Sequence, residues 1–367
     1  MYHKTSMLFF SILLATVFPG QVICPGASQE VCAQFYAVPV PPVYGNYVEF
    51  SIFSNDSVAD LNYFGQDVRL AIHDSIQSLE TMVFTRACYR VVVDSLLYRQ
   101  RWDTLPQPKF WRAVMRMHRD TAIVNLGKSR TIIEKIAMRA WNTLPSAAQE
   151  AYKDSIRTHY QLTPDEAVYI TTGKNHFYEF EKALPTLGRG IEVFESRGVD
   201  PWYAQAILLI ESPGKSLESP VGAYGAFQLM PEVALEEGLI LNDSIDERED
   251  FAKSAQAAAS LLGRRCIPQI KSILRKRDIE FSENDIWFRL MVLHAYHAGA
   301  GNVKGVIDQI EPVNGGMWLI QQMWQTQYGG FKNASQNYSQ IALASFMELD
   351  ALMEQADTLC IQANLEL

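Results

Sequence analysis

The sequence predicts a mainly α-helical protein. Three observations lead there. Apolar residues recur at three- and four-residue spacing along most of the chain from Asp67 onward, helix-start and helix-stop residues punctuate that pattern, and strand signals are sparse. The one tempting β run is Val43–Phe53. A length of 367 residues suits two or three domains, and a 48% hydrophobic content excludes a largely disordered chain. The net charge of −9 argues against nucleic acid as a partner, because phosphate binding needs clustered Lys and Arg.

At the N-terminus, Lys4 precedes an apolar run, Met7–Phe18, that Pro19-Gly20 ends. The run is too short to cross a bilayer, which takes about 20 residues, and has the length of an export signal's apolar core. Residues 1–33 are therefore expected to be a signal peptide, with cleavage after Gly26-Ala27-Ser28 or Val31-Cys32-Ala33. The mature protein is then periplasmic or associated with the cell envelope. A lipid anchor at Cys24 is the weaker alternative, since Gln21-Val22-Ile23 fits a lipobox poorly, and peripheral membrane association stays open. Ala37–Gly45 is Pro-rich and reads as an extended spacer. The five cysteines, Cys24, Cys32, Cys88, Cys266 and Cys360, show no zinc-site spacing.

The periodicity predicts helices from Asp67 to Trp102, from Phe110 to Asp120, from Arg130 to Leu144 and from Ser146 to Tyr160, the last with Ser146 as N-cap. Residues 34–165 thus read as a helical N-terminal region without a chemical motif. Thr163-Pro164-Asp165-Glu166 has capping-box spacing with Pro at the first helical position, and sets a soft boundary. Beyond it, residues 166–356 form a second helical domain. Ala183–Glu195 is a helix stopped at Arg197-Gly198; Asp200 caps the next, with Pro201 at its first position. Further helices follow from Pro231, over the Ala-rich Phe251–Leu262, over Ile286–His297 and over Ile341–Ala356.

Chemistry concentrates at three places. Glu211 ends the apolar run Ala204–Ile210. Helix-end carbonyls and apolar neighbours both disfavour its anion, as a general acid near neutral pH requires. Ser219–Pro231 is a Gly-rich loop in which Gln228 is a polar group among apolar ones, suited to hydrogen-bonding a sugar. His294–Val303 is a helix that delivers Tyr296 and then breaks at Gly299–Gly301. His294 and His297 are spaced to share a helix face, but no third ligand is evident, so no metal is expected.

Taken in order, Glu-Ser, Gly-Ala-x-Gly-x-x-Gln-Leu-Met-Pro and Ala-Tyr-x-Ala-Gly-x-Gly-Asn-Val resemble the catalytic domain of soluble lytic transglycosylases, a lysozyme-like helical fold related to goose-type lysozyme. The resemblance spans about Leu184 to Asp350, and Asp246–Asp250 is similar to a segment of the membrane-bound transglycosylase D branch. It implies cleavage of the β-1,4 bond between N-acetylmuramic acid and N-acetylglucosamine in peptidoglycan, with a 1,6-anhydro product and no cofactor. By the same resemblance Glu211 is the catalytic acid and then base, while Ser212, Ser219, Gln228, Met230, Tyr296, His297 and Tyr338 bind substrate. Glu218 and Glu232 offer no convincing second carboxylate, which suits this chemistry better than a two-acid hydrolase.

The sequence departs from the family pattern in three ways. The loop after Glu211 is one residue short, His297 replaces a usual Asn, and Ala334 stands where a Glu is common. These departures keep two alternatives open, a peptidoglycan-binding protein without turnover and a muramidase-type hydrolase. Trp318, Trp324 and Tyr328 are aromatic candidates for sugar stacking, with core packing as the alternative for each. The oligomeric state is not legible.

Overall fold

The structure, a computed structural model, describes residues 34–39, 48–53, 81–86, 89–163, 166–211, 218–311 and 314–365. The expected signal peptide, Cys24, Cys32, Cys88, Ser212 and most of the Pro-rich spacer lie outside the described residues. No described helix is long and apolar enough to cross a membrane.

The chain is mostly helical, but its N-terminal part is mixed. Strands β1 (Gln34–Pro39), β2 (Val48–Phe53), β3 (Thr81–Arg86) and β4 (Tyr89–Asp94) form one sheet in that order. Then come α1 (Leu96–Arg99), a 3-10 turn (Trp102–Thr104) and α2 (Pro106–Arg116). Next are β5 (Thr121–Leu126), β6 (Ile132–Ala137), α3 (Met138–Thr143), α4 (Ser146–His159) and β7 (Val168–Thr172). Strands β6, β5 and β7 make an antiparallel sheet with β5 central.

This corrects the expectation of a helical region over 34–165. Within Asp67–Trp102 the described residues form the β3–β4 hairpin, because Val91-Val92-Val93 is a β-branched run that fits a pleated surface better than a helix. Arg130–Leu144 divides into β6 and α3. Its Ile132 and Ile136 pair with Asn125 and Ala122 of β5 after a turn in which Arg130 takes the left-handed φ of 58°. The Thr163–Glu166 capping spacing closes a turn, Glu166 N–H to Thr163 carbonyl, that leads into β7 instead of a helix. The Ser146 helix is present as α4, with Pro145 as its N-cap.

The remainder is helical as expected, with α5 (Phe180–Ser196), α6 (Pro201–Ile210), α7 (Pro231–Glu236) and α8 (Phe251–Leu261), except that a short hairpin, β8–β9 (Leu241–Asn242, Ile245–Asp246), stands between α7 and α8. A π-helical turn (Leu262–Cys266) joins α8 to α9 (Ile267–Arg275). The last four helices are α10 (Ile286–Ala298), α11 (Ala300–Ile307), α12 (Met317–Met323) and α13 (Asn333–Leu365).

Every residue of α6 is buried, which its uniformly apolar sequence dictates: it is the central helix, with α5 and α13 packed on it. The Asp200 carboxylate caps it by accepting from the Trp202 N–H at 2.9 Å. The core does not stop at residue 165. Val83, Val91, Val92, Phe110 and Trp111 belong to the same buried cluster as α6 and α10. The Gln205 side chain pairs with the Val92 backbone in both directions, accepting from its N–H at 2.8 Å and donating to its carbonyl at 2.7 Å. The described N-terminal elements are thus built into the body that carries α6.

Candidate active site

Glu211 is placed by α6. The helix ends at Ile210, and Glu211 follows as its C-cap, with its N–H on the Ile207 carbonyl. The last carbonyls of α6 carry the partial negative charge of a helix end. The residue is half-buried, and burial pushes its carboxyl up to about 7, with the Tyr338 hydroxyl pulling the other way. Glu211 therefore holds its proton in a large part of the population at neutral pH.

It lies in a cleft of about 550 Å³. One wall comes from β7 and the Arg130 turn, another from the start of α13, and His297 from the end of α10. Three tyrosines surround the carboxyl. Burial first, and then the Glu211 charge, hold the hydroxyls of Tyr178, Tyr296 and Tyr338 well above the usual phenol range. Tyr296 donates to the Phe227 carbonyl at 2.6 Å, which ties the Gly-rich loop to α10. The Tyr338 hydroxyl is buried without a well-formed hydrogen bond to a described residue, and it stands next to Glu211. His297 packs on the Tyr338 ring at 4.5 Å, and burial lowers its pKa, so it is a neutral imidazole at neutral pH.

These facts fix a pH dependence. If protonated Glu211 is the acid, kcat/KM is level below pH 7 and falls about tenfold per unit above it. Tyr338→Phe removes a group that lowers the Glu211 pKa, so the falling limb should move to higher pH. A pH–rate profile of both proteins tests this; a limb that stays in place would mean the hydroxyl does not act on Glu211.

The Gly-rich loop lies apart from the cleft lining. Ser219 Oγ accepts from the Ala223 N–H at 2.9 Å and shapes a turn. Gln228 adopts a φ of 47°, and its amide donates to the Gly225 carbonyl at 3.0 Å. Met230 is the N-cap residue of α7. These three, expected to touch substrate, are not among the residues that line the cleft. What holds the loop is Arg248. Its guanidinium donates to the Gly222 and Leu229 carbonyls at 2.7 and 3.0 Å and pairs with Asp246 at 2.6 Å. Asp250, at the end of the same acidic segment, caps α8 through the Lys253 N–H. Gly225 is needed here, because its φ is 82° and a Cβ would lie 2.1 Å from the Arg248 carbonyl oxygen. Gly225→Ala should destabilise the protein by about 2 kcal/mol or more, measured by urea unfolding.

Other candidates resolve into packing. His294 is fully buried, with Nε2 against Ser339 Oγ at 2.8 Å and a pKa lowered to about 3 by burial and by His297. Among the described residues, no group of three or more His, Cys, Asp or Glu gathers to hold a metal ion. Trp324 is a core residue whose indole donates to Ser339 Oγ, while Trp318 and Tyr328 are exposed and outside the cleft lining. Glu218 and Glu232 do not line the cleft either. Cys266 is a buried free thiol.

The cleft also holds residues that sequence reasoning missed: Tyr178, Trp111, Arg130, Tyr169 and Lys174, with Asn333 and Asn337 facing them. No motif marks them. The one available signal was the dense aromatic run His176–Phe180 just ahead of α5.

No curated protein matches the chain. Residues 191–315 match the family model described as Transglycosylase SLT domain. The matched stretch contains Glu211, the Gly-rich loop, Tyr296 and His297, whereas Tyr338, Tyr178 and the N-terminal wall of the cleft lie outside it. Over residues 191–315 the chain is thus similar to a transglycosylase SLT domain, which points to action on peptidoglycan.

Proposed function

We propose that this protein is an exported peptidoglycan lytic transglycosylase, acting in the periplasm or at the cell envelope on the bond between N-acetylmuramic acid and N-acetylglucosamine. Glu211 gives its proton to the bridging oxygen as the bond to the muramic C1 breaks. The resulting carboxylate then takes the proton from the C6 hydroxyl of the same sugar, whose oxygen closes onto C1. The product is a 1,6-anhydro ring, water is not consumed, and Glu211 ends protonated as it began.

The observation that carries this reading is the state of Glu211: buried at a helix end, poised near 7, and the one carboxylate among the described residues lining the cleft. A two-carboxylate glycosidase needs its second acid within about 5–10 Å of the first. A single Glu assisted by the substrate's own hydroxyl does not. Export is supported by the Lys4 and Met7–Phe18 pattern.

Mass spectrometry of soluble fragments released from purified peptidoglycan tests the reaction. Anhydro-ended fragments, lighter by one water than reducing-end fragments, are the expected product. Reducing ends would make the protein a muramidase, and binding to the wall without release would make it a binding protein.

A further inference from the structure

Arg130 and Lys174 are cations that line the cleft without an ion pair to any carboxylate among the described residues. Arg130 is 4% exposed. Buried arginines are normally paired, as Arg289 is in this same protein, with Asp200 at 2.8 Å and Asp94 at 3.4 Å. Arg130 has neutral company instead. Its Nη2 donates to Asn333 Oδ1 at 2.9 Å and to Asn337 Oδ1 at 2.5 Å. Its guanidinium lies 5.4 Å from the Phe110 ring, 5.9 Å from Trp111 and 5.3 Å from Tyr169. No described residue accepts from its Nε, and no hydrogen bond engages Nη1. The backbone is held at a φ of 58°, a conformation that costs a non-glycine residue energy.

Lys174 repeats the pattern. Its ammonium sits 5.9 Å from the Trp111 ring, and burial lowers its pKa with no acidic group acting on it. Both cations line the cleft of Glu211, yet neither figures among the groups that shift the Glu211 carboxyl. Neutral acceptors and aromatic faces hold the charges in position without cancelling them, which is how a site for an anion is built.

We propose that the N-terminal part of the chain equips the cleft with a carboxylate-binding subsite, formed by Arg130 and Lys174, that takes an acidic group of the peptidoglycan and not its neutral sugar rings. Two sources carry that chemistry: the free carboxylates of the stem peptide, and the lactyl carboxylate of muramic acid exposed when the peptide is removed. The inference rests on the glycan-cleaving reading of the cleft and adds a substrate preference to it. The subsite is supplied by residues outside the matched 191–315 stretch.

The test is calorimetric titration of the full chain carrying Glu211→Gln, which holds glycan fragments without turning them over. Three soluble fragments of equal sugar length are compared: one with intact stem peptides, one with all carboxyls converted to methylamides, and one stripped by an amidase to bare lactyl groups. The intact or the stripped fragment should bind at least about tenfold more tightly than the methylamide form, the scale of one hydrogen-bonded charge pair. Adding Lys174→Gln should erase most of that preference, and Lys174→Arg should restore it. Tight binding of the stripped fragment assigns the subsite to the lactyl group; weak binding assigns it to the peptide. Equal binding of all three fragments, a preference that persists in Lys174→Gln, or no binding of any fragment overturns the inference. Release of anhydro fragments by the unaltered protein is measured separately, so the reaction and the subsite can fail independently.

Discussion

Glu211→Gln is expected to lower the rate of anhydro-fragment release by about 10³-fold or more, because it removes the acid of the first step and the base of the second. The same change should make the protein more stable at alkaline pH. The folded protein holds the Glu211 carboxyl near 7, against 4.5 for the free group. Between those values the folded state binds more protons than the unfolded chain, so stability falls as pH rises from about 4.5 to 7. Above 7 both states are ionised and the penalty is complete, at roughly 2–3 kcal/mol. Gln carries no charge and avoids it. Urea unfolding at pH 5 and pH 8 should therefore show little difference at the lower pH and a clear gain for Glu211→Gln at the higher. Equal stabilities at pH 8 would mean that the carboxyl is well solvated and that its pKa is ordinary, and the acid role would lose its physical basis. Loss of activity together with a gain of stability would identify Glu211 as a group kept for chemistry at the expense of the fold.

The helical half was legible because its signals are local. Asp200 with Pro201, the Gly198 stop and the Gly299 break each act within one helical turn, and α5, α6, α8 and α10 lie within a few residues of their expected bounds. Glu211 was legible for the same reason: an acid at the end of an apolar helix is a local pattern. Of the first sheet, β2 lies within the run Val43–Phe53 that reads as a strand, but β4 was not legible, because Val91-Val92-Val93 satisfies a helical and a strand template alike, and what decides between them is pairing with Thr81–Arg86 and docking on α6. The cleft's far wall was illegible for a further reason. Arg130 meets Asn333 and Asn337 across more than 200 residues of sequence, Lys174 lines the same cleft, and nothing in their own neighbourhoods marks them. Ser219, Gln228 and Met230 are marked by the resemblance of their motif, and the structure shows Ser219 and Gln228 hydrogen-bonded within the loop that Arg248 clamps.

Asp94→Ala should be the most damaging single change far from the cleft. Asp94 is 3% exposed, and its carboxylate has three donors: the Trp202 indole N–H at 2.9 Å, Arg289 at 3.4 Å and the Leu96 N–H at 3.0 Å. Alanine takes a carboxylate from the buried Arg289 guanidinium, which keeps its ion pair with Asp200, and removes this acceptor from the Trp202 and Leu96 N–H groups. Breaking a buried pair from one side costs about 3–5 kcal/mol, and the orphaned donors act in the same direction. Asp94→Asn keeps the shape and an oxygen for Trp202, so its cost should be smaller. Chemical unfolding gives both numbers, and the activity of the remaining folded protein should be unchanged, since Asp94 grips the start of α6 while Glu211 stands at its other end, about 15 Å away at 1.5 Å per residue. A change of less than about 1 kcal/mol in Asp94→Ala would mean that β4 merely rests against the SLT-type domain. The larger cost would mean that β4 fixes where α6 begins. The same N-terminal body carries the turn of Arg130 and strand β7, so anchoring β4 also sets how far the second wall of the cleft stands from Glu211.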